Sequence, residues 1–180
     1  LPECYIVPDL AAVLHATGQL EDRAEHRIRA TGAMIFPAMM RGGLTSDEGG
    51  GIAQILKVRL IHAMVRNLIL RDSPEDAVKS EVKVIPALAK VVKGDGMFAA
   101  LYVHGWDLGQ CGLPNNQEEL AYTLLTFNYV FLRSMRRLGL GMGEEAERDY
   151  IHLWNVAGHY LGIERELMVD TYEEGAELFA

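Results

Sequence analysis

The chain is short of cysteine, short of positive charge, and without a long uncharged apolar run. Each shortage removes a class of function. Cys4 and Cys111 are the only cysteines among 180 residues. They lie far apart and neither belongs to a C-x-x-C pair, which argues against a zinc knuckle or a disulfide framework. Two free thiols are expected, with a Cys4–Cys111 bridge or a thiolate ligand at Cys111 as the other arrangements the count allows. Seventeen basic against 25 acidic side chains give a formal net charge of -8. That excludes the basic surface nucleic acid demands, and any general electrostatic grip on anionic membranes. No segment approaches the ~18 uncharged apolar residues needed to cross a bilayer. The chain opens on Leu1-Pro2 with no basic and apolar leader, and stops at Leu178-Phe179-Ala180 inside an acidic amphipathic stretch. One soluble, cytoplasmic domain over 1–180, trimmed at both ends, is therefore expected. Gly49, Gly50 and Gly51 have neither a strand before them nor Lys-Ser/Thr after them, so they make no phosphate loop.

What is present is apolar and periodic. Hydrophobic residues make up 49% of the chain, enough for a sizeable core. The 3.6-residue period predicts helices over 9–17, 20–41 (kinked or interrupted by Pro37), 52–70, 98 onward into a glycine-rich loop ending at 114, 115–139 and 144–162, with short helical pieces over 163–180. Asn115 or Asn116 can cap the 115–139 helix, whose Glu118 and Glu119 suit its positive end and Arg136 and Arg137 its negative end. Residues 82–92 (VKVIPALAKVV) are rich in Val, but Pro86 speaks against a central strand, and a helix is expected there too. The fold class is all-α, an orthogonal multi-helix bundle.

Thirteen of the nineteen residues from Ile52 to Leu70 are apolar, and no side of this helix reads as solvent-facing. Three of its polar residues, Arg59, His62 and Arg66, stand at i, i+3 and i+7 and share a face. Burying two guanidinium groups and an imidazole is costly unless something anionic or metallic meets them. Two readings stay open on spacing alone. In one, the arginines pair with acids of neighbouring helices and His62 is a satisfied core histidine. In the other, a b-type haem sits there, with imidazole on the iron and guanidinium groups on the propionates.

The segment KVRLIHAMVRNLIL resembles a helix of the latex-clearing protein (rubber oxygenase) and MpaB-type oxygenase family, in which R-x-x-H-x-x-x-R carries the proximal ligand of haem b. Arg59, His62 and Arg66 fill those positions. Upstream, RIRAT supplies Arg27 and Thr31 in an R-x-x-x-T element that lies over the distal side in the family. Ala30 stands where rubber-cleaving members often have a basic residue. Downstream, GLPNNQEELAYTLLTFNYVFLRSMRRLG and IHLWNVAGHYLGI resemble the next two helices. The four blocks follow the family order over roughly residues 20–165. The resemblance implies haem b held by His62 with Arg59 and Arg66 on its propionates. It also implies Arg27 and Thr31 as catalytic groups beside dioxygen, and oxidative chemistry on an apolar, isoprenoid-type substrate. Met34, Ile35 and Met64 are the expected lining. The glutamate base of rubber oxygenases has no counterpart by motif; Glu21 and Glu25 are the nearest acids.

Alternatives remain. A haem carrier or sensor needs the same histidine as an oxygenase, and a degenerate family member would bind no cofactor. A di-iron bundle wants two Glu-x-x-His motifs, and Asp149-Tyr-Ile-His152 is the only near match. His152 and His159 share a helix seven residues apart and His104 adjoins Gly105-Trp106; packing or surface roles are expected for all three. Trp106, Trp154, Phe127 and Tyr129 are expected in the core, and Thr123 and Thr126 bonded back to helix carbonyls.

Overall fold

The computed structural model describes residues 8–16, 24–46, 50–89 and 97–179, and within them the protein is predominantly helical. The expectation of an all-α fold holds, with one two-residue strand pair as the exception. The chain forms two compact units, one of Leu1–Gly32 with Leu60–Asn116 and the other of Ala33–Arg59 with Gln117–Ala180.

The first unit contains α1 (Pro8–Ala16), the start of α2 (Ala24–Met39) and the C-terminal half of α3 (Gly51–Leu70). It continues with α4 (Pro74–Lys79), β1 (Val84–Ile85), α5 (Met97–Val103), β2 (Trp106–Asp107) and α6 (Leu108–Cys111). Its core gathers Val13, Val65, Ile69, Leu70, Ala77, Leu101 and Trp106, with Cys111 packed at the margin. Ser73 caps α4 by accepting from the Asp76 amide, with Pro74 in the first turn. The helix expected over 82–92 is not formed. Val84 and Ile85 instead pair antiparallel with Asp107 and Trp106. The β-branched pair finds a partner strand, and Pro86, which has no amide hydrogen to donate, stands where that strand ends. Residues 90–92 lie outside the described set, as does Cys4.

The second unit takes the rest of α2, the N-terminal half of α3, α7 (Gln117–Phe127), α8 (Tyr129–Arg137), α9 (Glu144–Leu161), a 3-10 turn at Arg165–Leu167 and α10 (Tyr172–Leu178). One core cluster packs Ala38, Leu44, Ile55, Leu124, Trp154 and Ala157; another packs Leu125, Tyr129, Leu132, Ile151 and Val169. Met34 and Ile35 lean on the first of these clusters. Phe127 stacks on Trp154 with ring centres 4.9 Å apart. Pro37 is carried inside the last turn of α2 and does not end it. The helix expected over 115–139 is broken at Asn128, fully buried, whose side-chain oxygen accepts from the next amide, Tyr129 N–H, and turns the helix there. Thr123 and Thr126 do bond back to the carbonyls of Glu119 and Thr123.

Candidate functional site

Helix α3 is not apolar towards its neighbours on every side. Ile55, His62 and Ile69 recur every seven residues and form one row, flanked by Val65, and the two isoleucines are at most 1% exposed. The opposite face carries Leu56, Leu60 and Met64, which are 46%, 61% and 40% exposed. The expectation of a helix without a solvent face is thereby corrected. An even spread of apolar residues hides the asymmetry, because an exposed Leu reads in sequence like a buried one. Met64 lies about 200° round the helix from His62, on the face turned away from it, which removes it from the expected pocket lining.

His62 sits in the middle of the inward row. Its Nδ1 is sealed from solvent and has no hydrogen-bond partner among the described residues. Burial pushes its pKa down to about 4, helped by the positive charges of Arg66 and Arg27. The imidazole is therefore neutral at ordinary pH, with a nitrogen lone pair available. An orphaned buried polar atom normally calls for an explanation, and a neutral histidine nitrogen is what a metal centre requires.

Arg66, one turn further on, donates from Nη1 to the carbonyl of Asn115 at 2.8 Å. Asn115 adopts φ +50°, a left-handed conformation that Asn tolerates better than most residues. Arg27 and Thr31 are a turn apart on α2 and half-buried, and Ala30 between them is exposed. Arg27 reaches the surroundings of His62 electrostatically. The first unit thus holds His62, Arg66, Arg27 and Thr31. Arg59 belongs to the second unit, where its exposed guanidinium donates to the Tyr160 carbonyl at 3.3 Å and lies over Gly162, the left-handed cap of α9. A cation at the carboxyl end of a helix is favourable, a role the spacing on α3 did not announce. Gln117 holds the same turn, donating to Gly162 O and accepting from Glu164 N–H.

The other histidines lie elsewhere. His152 and His159 are exposed along α9, where with Asn155, Tyr160, Arg165 and Asp170 they border an open pocket of about 370 Å³ in the second unit. Asn155, which sequence reasoning passed over, is buried and donates to Val169 O. His104 is half-buried, its ring centre 6.3 Å from that of Trp106, and its pKa is lowered by burial and then by His15. Glu25 pairs with Arg29 on the surface, and Glu21 lies outside the described residues. Among the described residues no three His, Cys, Asp or Glu side chains converge as a metal cluster. A haem held by a single imidazole needs no such cluster, so the donor set fits that group: a neutral, half-buried His62 whose Nδ1 is sealed from solvent, with a cation one turn away. No described helix is long and apolar enough to cross a membrane.

The pattern of the family described as ER-bound oxygenase mpaB/B'/Rubber oxygenase, catalytic domain, matches residues 6–180. No curated protein and no solved structure matches the chain.

Proposed function

We propose, from the premise that this chain belongs to the family of the mpaB/B' and rubber oxygenase catalytic domain, that it is a haem b-dependent oxygenase acting on an apolar, isoprenoid-type substrate with dioxygen. The observation that carries the cofactor reading is the buried, unpartnered Nδ1 of His62, neutral at ordinary pH, on the inward row of α3. In this reading His62 would hold the haem iron through a ring nitrogen. Haem would supply the redox chemistry by which dioxygen is activated.

The protein's own contribution is to exclude water, hold charge and orient. Ile69 and Val65, buried on the same side of α3 as His62, would keep water from the imidazole. Arg66 is the better placed of the two propionate partners, because it lies in the same unit as His62 and is already ordered by its bond to Asn115. Arg59 would have to exchange its bond to Tyr160 for a carboxylate. Arg27 and Thr31, a cation and a hydroxyl on one helical face, would stabilise negative charge developing on oxygen.

The test is reconstitution with haem followed by absorption spectroscopy. The wild-type protein should show a Soret band, and acidified organic solvent should extract the pigment, since the chain has no C-x-x-C-H attachment site. His62→Ala should be colourless and still helical by circular dichroism. A normal haem spectrum in that variant assigns the ligand to another residue, and a wild type that stays colourless refutes the cofactor.

A further inference from the structure

A long side chain such as arginine samples many rotamers unless something fixes its end. On α3 the guanidinium of Arg66 meets the carbonyl of Asn115, 2.8 Å from Nη1. An unusual backbone brings that carbonyl into place. The angle φ swings a residue's own carbonyl about its N–Cα bond, and at Asn115 it is +50°. Residues other than glycine seldom adopt this conformation, and β-branched ones resist it most. Among the described residues Arg71 is the other non-glycine case. The carboxamide of Asn115 enters no hydrogen bond among the described residues, so this residue acts through its backbone.

The chain leading to Asn115 is anchored. Gly112, at φ +64°, closes α6 by donating to Leu108 O at 3.2 Å. Its carbonyl accepts from Nε1 of the buried Trp106 at 2.8 Å. Leu113 packs against the core cluster that contains Trp106. Pro114, its φ fixed by the ring, is fully buried. The loop 112–115 therefore cannot shift without unpacking the core of the first unit. A left-handed non-glycine residue at the end of so firm a loop is strain that the surroundings impose, and such strain gathers at functional sites.

We infer that Asn115 is a positioning residue, whose left-handed backbone presents its carbonyl to Arg66 and so fixes that guanidinium for a haem carboxylate. The inference rests on the haem reading above. The guanidinium is a rigid plane of five N–H donors, so tying Nη1 to a carbonyl orients the whole fork. Part of the ordering that carboxylate binding requires is then made in advance. A neutral carbonyl also orients the cation without cancelling its charge. His62, Arg66 and Asn115 all lie in the first unit.

The experiment is haem titration of the full chain at the Soret band, run as a double-mutant cycle. Asn115→Gly reaches the left-handed region without strain and should bind haem as wild type does. Asn115→Val should weaken binding about tenfold, the effect of losing one hydrogen bond to a charged group. Its Soret position should not move, because His62 is untouched. In the Arg66→Ala background, Asn115→Val should bring no further loss. If circular dichroism shows that Asn115→Val does not fold, Asn115→Ala takes its place, with a smaller loss that again requires Arg66. Wild-type affinity in Arg66→Ala or in the folded Asn115 variant would overturn the proposal. So would the same loss with and without Arg66, which makes Asn115 a residue of loop stability alone. A wild type without a Soret band removes the haem reading and this inference together; the other failures leave the haem reading standing.

Discussion

A neutral imidazole is tolerable in an apolar neighbourhood only while no proton reaches it. In the cofactor-free chain the unfolded state takes up a proton at His62 near pH 6.5, whereas the folded state resists until about pH 4, because charging the ring means desolvating a cation beside Arg66 and Arg27. Between those values the unfolded state binds more protons. The sign follows: stability is full above pH 6.5, falls as pH drops towards about 4, and levels off below. Urea melts of the apoprotein across that window should show the slope, and His62→Gln should flatten it; equal slopes would assign the titration to another group. A second buried polar residue is held by a charged partner. Glu147 is 3% exposed and is gripped by Arg136 at Oε1, 2.8 Å from Nε, and at Oε2. Arg136 is in turn held further above its ordinary pKa by that bond. Glu147→Ala should cost on the order of 3 kcal/mol, the low end for a broken buried pair because Arg136 is partly exposed. Chemical denaturation measures it, and a loss below about 1 kcal/mol would place the pair among ordinary surface bridges.

At the scale of elements, the corner between α2 and α3 is set by glycine. A Cβ on Gly51, the first residue of α3, would lie 2.5 Å from the carbonyl oxygen of Gly43 and 2.8 Å from the Cα of Ala38. Both obstacles are backbone and cannot rotate away. Gly51→Ala should thus lose roughly 1–3 kcal/mol to overpacking, against a helix-propensity gain of about 1 kcal/mol that applies fully only in a helix interior. Net destabilisation in a thermal melt is the expected result, and a stabilised variant would mean the corner opens without cost. The sequence does not announce this contact, since Gly49 to Gly51 are read there only for the phosphate loop they do not make. Other elements were legible because their signals are local. The acids opening α9 and Gly162 closing it mark helix ends in any context. The break at Asn128 and the strand at Val84–Ile85 were not legible, for opposite reasons. Asn128 interrupts a strong period through one side-chain bond, and Val84–Ile85 is strand only because Trp106–Asp107, some twenty residues away, comes to pair with it.

Across the whole molecule, the candidate site could be read in the sequence as a motif but not as an arrangement. The spacing of Arg59, His62 and Arg66 puts three side chains on one face, yet Arg59 turns to the end of α9 while Arg66 turns to Asn115. Both partners are backbone carbonyls, which no residue type advertises. That division gives a test in which global stability reports on the cofactor. A group that binds only the folded chain stabilises it by RT ln(1 + [L]/Kd), about 2.7 kcal/mol when haem is at a hundred times its dissociation constant. Saturating haem should raise the melting temperature of wild type and leave that of His62→Ala unmoved. Arg66→Ala removes the Asn115 bond in both forms, so part of its loss is common to apo and holo protein. If Arg66 also meets a propionate, the holo form loses more, and the increment due to haem shrinks. Arg59→Ala separates the same two roles. If its bond to Tyr160 and its place over Gly162 are all it provides, apo and holo melting temperatures fall together and the haem increment is unchanged. A reduced increment for Arg59→Ala would instead mean that the guanidinium leaves α9 when haem binds. Equal losses in both forms for both variants would reject propionate pairing on α3 altogether, leaving His62 as the sole contribution of that face to the cofactor.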